Sequence, residues 1–268
     1  MRRTFATTLS LAALGVSALP SEAAALASHR ASYELRLKGQ SDELTGADGR
    51  IALEVSRPDC KAYKLDYRFV ARFQQEQELT VTDQRTTSVE SLDGKTFSFE
   101  TKTFIDSAAD NEVRGTATTA GSQTVVALAE PETRQITIPA ALFPMQHTGQ
   151  LIEKAKAGQR IVETAIFDGD EDADKRLTST AVISARSAPA AAPGAVPAVV
   201  EKLKGLGAWR VSESFYNSDS DPDGMPIFET AYTLYENGVS DDLLLVFDGY
   251  TFEGDLATLD MLDSPACP

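Results

Sequence analysis

Residues 61–74 read KAYKLDYRFVARFQ, and at their centre Leu65, Tyr67 and Phe69 alternate with Asp66 and Arg68. Successive side chains of a β-strand point to opposite faces, so this alternation describes a strand with one face buried and one in water. The same period of two returns in Tyr33, Leu35 and Leu37 around Glu34 and Arg36, and in Ile51, Leu53 and Val55 around Ala52 and Glu54. Phe97 and Phe99 flank Ser98, and Ile136 and Ile138 flank Thr137. Thr, Val, Tyr and Phe, which suit a pleated surface, fill these stretches. Turn-forming pairs punctuate them: Asp48-Gly49, Asp93-Gly94, Ala120-Gly121, Asp168-Gly169, Asn237-Gly238 and Asp248-Gly249. About fourteen strands are expected, from 28–38 through 61–74, 77–90, 95–105, 112–120 and 160–168 to 250–259. Such spacing predicts an all-β, mainly antiparallel sheet curled into a barrel or sandwich.

One segment breaks the rhythm. Pro144 stands early and Gly158 just past the end of a stretch running from His147 to Ala157, with Leu151, Ile152 and Ala155 at helical spacing. That order of Pro and Gly marks the start and stop of a helix, which would plug or cover one face of the sheet. Residues 187–197 are rich in Ala and Pro and read as a flexible, partly extended surface insertion, with a short helix to follow over Val199–Leu206. The strand pattern resumes at once, so residues 26–268 are expected to form a single domain.

The chain opens Met1-Arg2-Arg3, continues apolar from Phe5 to Leu19, and offers Ala23-Ala24-Ala25 after Pro20. A basic start, a short apolar run and a small-residue site describe a secretory signal peptide over residues 1–25. The apolar run is too short for a stable membrane span, and no later segment reaches the needed length. The mature chain is thus expected to begin near Ala24 to Leu26 and to be soluble outside the cytoplasm. Formal net charge is −15 for the full chain. Such a surface repels nucleic acid and anionic headgroups, which excludes electrostatic docking on either. In an oxidising compartment the two cysteines, Cys60 and Cys267, are expected to form a disulfide; two buried free thiols are the alternative. The loop so closed is about 200 residues long, and the chain-entropy view assigns it at most about 5 kcal/mol.

Chemistry is sparse. There is no G-x-S-x-G elbow, and the histidines are His29 and His147 alone. His147 as a base is weighed against a helix-end residue hydrogen-bonded near the core, and the second is preferred. Two His and two paired Cys cannot make the usual zinc set, so neither metal nor cofactor is expected. Asp219, Asp221 and Asp223 stand as in a calcium loop with Gly224 following, but the twelfth position is Thr230. They and the run Asp168 to Asp174 read more simply as solvated loops that use Asp for turn geometry. Phe97, Phe99, Phe104, Phe143, Trp209, Phe215, Tyr232, Phe247 and Phe252 are candidates to line a cleft on the inner face, or else to fill a core. A sheet of about fourteen strands is wide for side chains alone to fill.

The C-terminal third carries a resemblance. Trp209, Ser214-Phe215-Tyr216, Pro226 to Glu229, and Tyr232 through Gly238 to Ser240 lead to Asp248-Gly249-Tyr250 and Pro265-Ala266-Cys267. With Leu26, His29-Arg30-Ala31, Tyr33, Asp59-Cys60, Leu142-Phe143-Pro144, His147 and Asp168-Gly169, these resemble the EipB family of alphaproteobacterial periplasmic envelope-integrity proteins. The resemblance implies a β-spiral, a long sheet wound into an incompletely closed barrel around a helix. It implies a shape similar to periplasmic lipoprotein carriers, a disulfide at Cys60 and Cys267, and a role under envelope stress. It supplies no catalytic residue. The resulting expectation is a non-enzymatic protein that maintains the cell envelope by binding a lipid, lipoprotein or protein partner on its concave face. A scaffold acting only through protein contacts, and a hydrolase of envelope polymers, are the alternatives.

Overall fold

The computed structural model describes residues 26–39, 41, 44–185, 196–217 and 224–265. The expected leader, nearly all of the Ala/Pro stretch, the Asp219–Asp223 loop and Cys267 lie outside the described residues. Within them the strands are β1 (His29–Leu37), β2 (Gly46–Ser56), β3 (Ala62–Gln74), β4 (Leu79–Ser91), β5 (Thr96–Ile105), β6 (Ala108–Ala120) and β7 (Gln123–Glu130). They continue as β8 (Arg134–Pro139), β9 (Ile161–Ala165), β10 (Thr178–Ala185), β11 (Ala208–Tyr216), β12 (Phe228–Tyr235), β13 (Ser240–Phe247) and β14 (Tyr250–Met261). Two helices interrupt them, α1 (Pro144–Lys156) and α2 (Pro197–Leu203).

The fourteen strands form one sheet in the order β8-β7-β6-β5-β4-β3-β2-β1-β14-β13-β12-β11-β10-β9. Every neighbouring pair is antiparallel, and β1 joins β14 from His29↔Met261 to Leu37↔Phe252. The sheet does not close. Just past its edge strands, β8 and β9, the chain meets itself at an isolated parallel bridge between Leu142 and Ile166. There the Leu142 amide donates to Ala165 and the Phe167 amide to Leu142, each at 2.9 Å. This is a spiral whose last turn meets its first without merging with it.

Register explains the two faces. On β3 the residues Leu65, Tyr67, Phe69 and Ala71 point inward, toward the cores. Lys64, Asp66, Arg68 and Arg72 point out; Lys64 pairs with Asp66 along β3, and Arg68–Asp83 and Arg72–Asp48 pair across strands. Pairs this exposed add little stability each. The inner face carries three apolar clusters. One centres on Tyr33, Leu35, Phe252 and Leu256 with Val199 and Leu203 of α2. A second joins Phe97, Phe99, Phe143 and Phe167. The third seats Leu151, Ile152 and Ala155 of α1 against Val162, Ala181, Ile183, Val211 and Leu234.

The expected strands are all present. The largest shift is at β6, which begins at Ala108 rather than near residue 112. Its preceding hairpin turn uses Asp106 (φ 50°) and Ser107 (φ 71°) in the left-handed region without a glycine. The short helix expected over Val199–Leu206 forms as Pro197–Leu203.

Candidate functional site

The strand turns fall at two ends of the spiral. The β2–β3, β4–β5 and β12–β13 turns lie at one end together with α1 and α2. The β1–β2, β3–β4, β5–β6, β11–β12 and β13–β14 turns lie at the other. The first end is closed. Pro144 opens α1, where its missing N–H costs nothing. The next amides, of Met145 and Gln146, each donate to the buried Glu90 carboxylate of β4 at 2.8 Å. Burial pushes the Glu90 acid up to about 7, outweighing these two bonds. Gly94 in the next turn has φ +64°, the left-handed region that favours glycine, and the Gln146 amide packs over its Cα.

A second polar anchor sits one turn on. His147 Nε2 lies 2.8 Å from a Glu213 oxygen that also accepts from Ser179 Oγ at 2.6 Å, while Tyr232 donates to the other oxygen. Because Nε2 faces a carboxylate, it carries the proton. Burial pushes the Glu213 acid up, but the bonds from His147, Ser179 and Tyr232 prevail and hold it below its usual range. Burial and the nearby Glu213 charge raise Tyr232 strongly. The residues Ser, His and Glu meet here without the order of a nucleophile triad, since the serine donates to the glutamate and not to the histidine. The cluster ties α1 to β10, β11 and β12.

Beneath α1 lies a cavity of ≈ 270 Å³. Met145 and Thr148 of α1 form one wall. Tyr33, Ile51, Leu53, Val55, Leu65 and Tyr67 of β1–β3 form the other. His29 borders it, with Nδ1 2.8 Å from the Ala27 carbonyl. The lining is chiefly apolar, and Tyr33 is fully buried with its hydroxyl on the Ser240 carbonyl.

The other end holds a polar cavity of ≈ 280 Å³ between β4–β6 and the loop from Asp168 to Glu171. Gly169 (φ +97°) lets that loop dive onto the Phe99 ring, which a Cβ would meet at 3.0 Å. The loop uses its acids locally: Asp168 and Asp170 accept the amides of Asp170 and Asp172, and Asp172 pairs with Lys175 at 2.6 Å. Among the described residues no group of three His, Cys, Asp or Glu is brought together to hold a metal.

Of the nine candidate cleft aromatics, Phe97, Phe99, Phe143 and Phe252 are core. Trp209 and Tyr232 pack around α1. Phe104 points to the outer face, where Arg85 lies 5.0 Å from its ring, because it pairs with the outward Asp83. Phe215 and Phe247 remain half-buried at the open end, joined by three rings that sequence reasoning missed: Phe73, Phe228 and Tyr250. Neighbouring centroids along Phe215–Phe228–Phe247–Tyr250–Phe73 are 5.6, 5.0, 4.9 and 5.5 Å apart. These rings sit on four different strands and on β3, so only the topology assembles them.

Cys60 lies in the β2–β3 turn at the closed end and is not a free thiol. The C-terminal segment runs past it. Leu262 donates to the Ser28 carbonyl at 2.9 Å, Ser264 Oγ is 2.6 Å from Ser28 Oγ, and Arg57 reaches the Pro265 carbonyl at 3.5 Å. Among the described residues no helix is long and apolar enough to cross a membrane.

The chain matches the EipB-like family over residues 20–263. It is 35% identical over 262 residues to "Cell envelope integrity protein EipB" of Brucella abortus (strain 2308), across 97% of this chain and 92% of that protein. Its structure is similar, with a TM-score of 0.81 and 35% identity, to the crystal structure of a β-barrel-like protein of domain of unknown function DUF1849 from Brucella abortus, covering 90% of this chain and 100% of that one.

Proposed function

The chain belongs to the EipB-like family, and from that membership we propose that it is a periplasmic, non-enzymatic protein that maintains cell-envelope integrity by holding an apolar group of an envelope lipid or lipoprotein inside the spiral. The observation that carries this reading is the chiefly apolar ≈ 270 Å³ cavity beneath α1. Ligand sites are concave and mostly apolar, with few polar groups, and this cavity has that composition. Its ≈ 270 Å³, just below the roughly 300–1,000 Å³ usual for such sites, suits one acyl segment better than a whole lipid. The buried Ser179–Glu213–His147 cluster supports a structural use of the groups an enzyme would employ. The acidic surface disfavours anionic membrane and leaves the interior as the contact with cargo.

The same reading includes a leader over residues 1–25 and a disulfide between Cys60 and Cys267. The approach of Pro265 to Arg57, three residues before Cys60, supports that pairing.

Native mass spectrometry of protein taken from its own periplasm tests the cargo. An acyl-sized adduct is expected, and it is expected to vanish in Leu53→Trp, which fills the cavity. No adduct from wild type, together with no lipid transfer between vesicles, would sink this reading. A stoichiometric protein partner on crosslinking would favour the scaffold instead.

A further inference from the structure

The inner face of β4 reads Thr80, Thr82, Gln84, Thr86, Ser88 and Glu90, without one apolar residue. A strand face turned toward a core is ordinarily apolar, so this stripe needs a reason. At the closed end the reason is found: Glu90 caps α1. Midway, Thr86 pairs with Thr101 of β5 at 2.9 Å. Toward the open end the explanation within the chain stops. The side chains of Gln84 and Thr103, opposite each other on β4 and β5, make no hydrogen bond among the described residues. Both line the ≈ 280 Å³ polar cavity, with the exposed Asn111 of β6, whose Nδ2 donates to Glu171 at 3.3 Å, beside them. Half-buried amides and hydroxyls without protein partners are groups waiting for water or a ligand.

The stripe borders the aromatic rungs directly. Register places Gln84 opposite Phe69 and Thr80 opposite Phe73, and Phe73 continues into Tyr250 and Phe247. The loop acids close the circuit, since Asp168 and Asp170 line both the polar cavity and a small hollow that reaches Asn217 and Ile227 at the start of β12. One rim of this mouth therefore offers flat half-exposed rings, and the other offers the amides and hydroxyls of Gln84, Thr103 and Asn111 beside the acceptor carboxylates of Asp168, Asp170 and Glu171. No Lys or Arg lines the polar cavity, which disfavours phosphate and other anions.

We propose that the open end of the spiral is a saccharide-binding mouth, in which the rings of Phe73, Phe247 and Tyr250 lie under the apolar face of a sugar while Gln84, Thr103 and Asn111 bond its hydroxyls. A sugar is the ligand class that is both flat-faced and rich in neutral hydroxyls, which the two rims match together. The site is separate from the apolar cavity beneath α1, so it stands or falls independently of the acyl-cargo reading.

The test is saturation-transfer NMR on the whole mature protein with two neutral probes, N,N′,N″-triacetylchitotriose and maltotriose, and with pentalysine as a competitor. Transfer to ring protons of at least one sugar is expected. Gln84→Ala and Tyr250→Ala, each at an incompletely buried position, are expected to weaken it roughly tenfold. Leu53→Trp, in the other cavity, is expected to leave it unchanged, which separates this proposal from the acyl one. Should either mouth variant unfold, Thr103→Val, nearly equal in shape, replaces it. No transfer from wild type to either sugar would overturn the proposal. So would transfer indifferent to all mouth variants, or displacement by pentalysine, which would assign the mouth to a cationic peptide.

Discussion

The closed end and the open end of this spiral share their strands and differ in what those strands present. At the closed end the buried carboxylates are engaged by the protein itself: Glu90 by two helix amides, and Glu213 by His147, Ser179 and Tyr232. At the open end polar groups on the same β4, and on β5, are half-buried without partners, and aromatic rings stop short of a sealed core. A long strand can thus be structural over one half and receptive over the other. The two halves should respond oppositely to mutation, the first through stability and the second through binding.

The largest effect expected is loss of the disulfide proposed between Cys60 and Cys267, which would latch the C-terminal segment to the closed end. Under non-reducing conditions Cys60→Ser should melt below wild type, by up to about 5 kcal/mol of stability in the chain-entropy view. With reductant the two should coincide. Equal melting without reductant would remove the latch from the closed end. Next, Leu151→Ala, at a fully buried position of α1, should cost about 2–5 kcal/mol in denaturant unfolding. A cost under about 1 kcal/mol would mean that α1 is not the plug of that end.

Third comes pH. Glu90 titrates in the fold near 7 against 4.5 when exposed. A carboxyl raised on folding holds its proton more tightly in the native state. Its contribution is therefore whole below about pH 4.5 and is lost as pH rises through about 7. Wild type should lose stability relative to Glu90→Gln between those values, by about 3 kcal/mol at most. Parallel pH profiles for the two proteins would show that the capping carboxylate is not desolvated. The smallest effect belongs to the open end: Gln84→Ala should change stability by no more than about 0.5 kcal/mol, measured by the same unfolding. A cost of several kcal/mol would make the polar stripe structural and erase the contrast.

Much of this was legible in the sequence. The alternation at Leu65–Phe69 and its repeats mark strands because period two survives any tertiary context, and the Pro144–Gly158 bracket marks α1 for a local reason. The start of β6 was hidden because Asp106 and Ser107 turn without glycine. The Glu90 cap and the Glu213 cluster were hidden because they join residues 19 to 66 positions apart, and no local pattern reports that. The mouth is an intermediate case. Thr80, Thr82, Gln84 and Thr86 follow a strand period with no apolar member, a signal present in the sequence and passed over. The rings of Phe73, Phe228 and Tyr250 gave no signal until the strand order joined them.

A spiral, unlike a barrel, must end in two free edges. Here the strands at those edges, β8 with six residues and β9 with five, are the shortest of the fourteen. A long bare edge is a template on which a second molecule can add its own strand. Brevity, the proline that ends β8 and the Leu142 bridge that occupies the end of β9 deny that template at both places. The unclosed fold can therefore keep an accessible interior without seeding fibres or edge-to-edge aggregation.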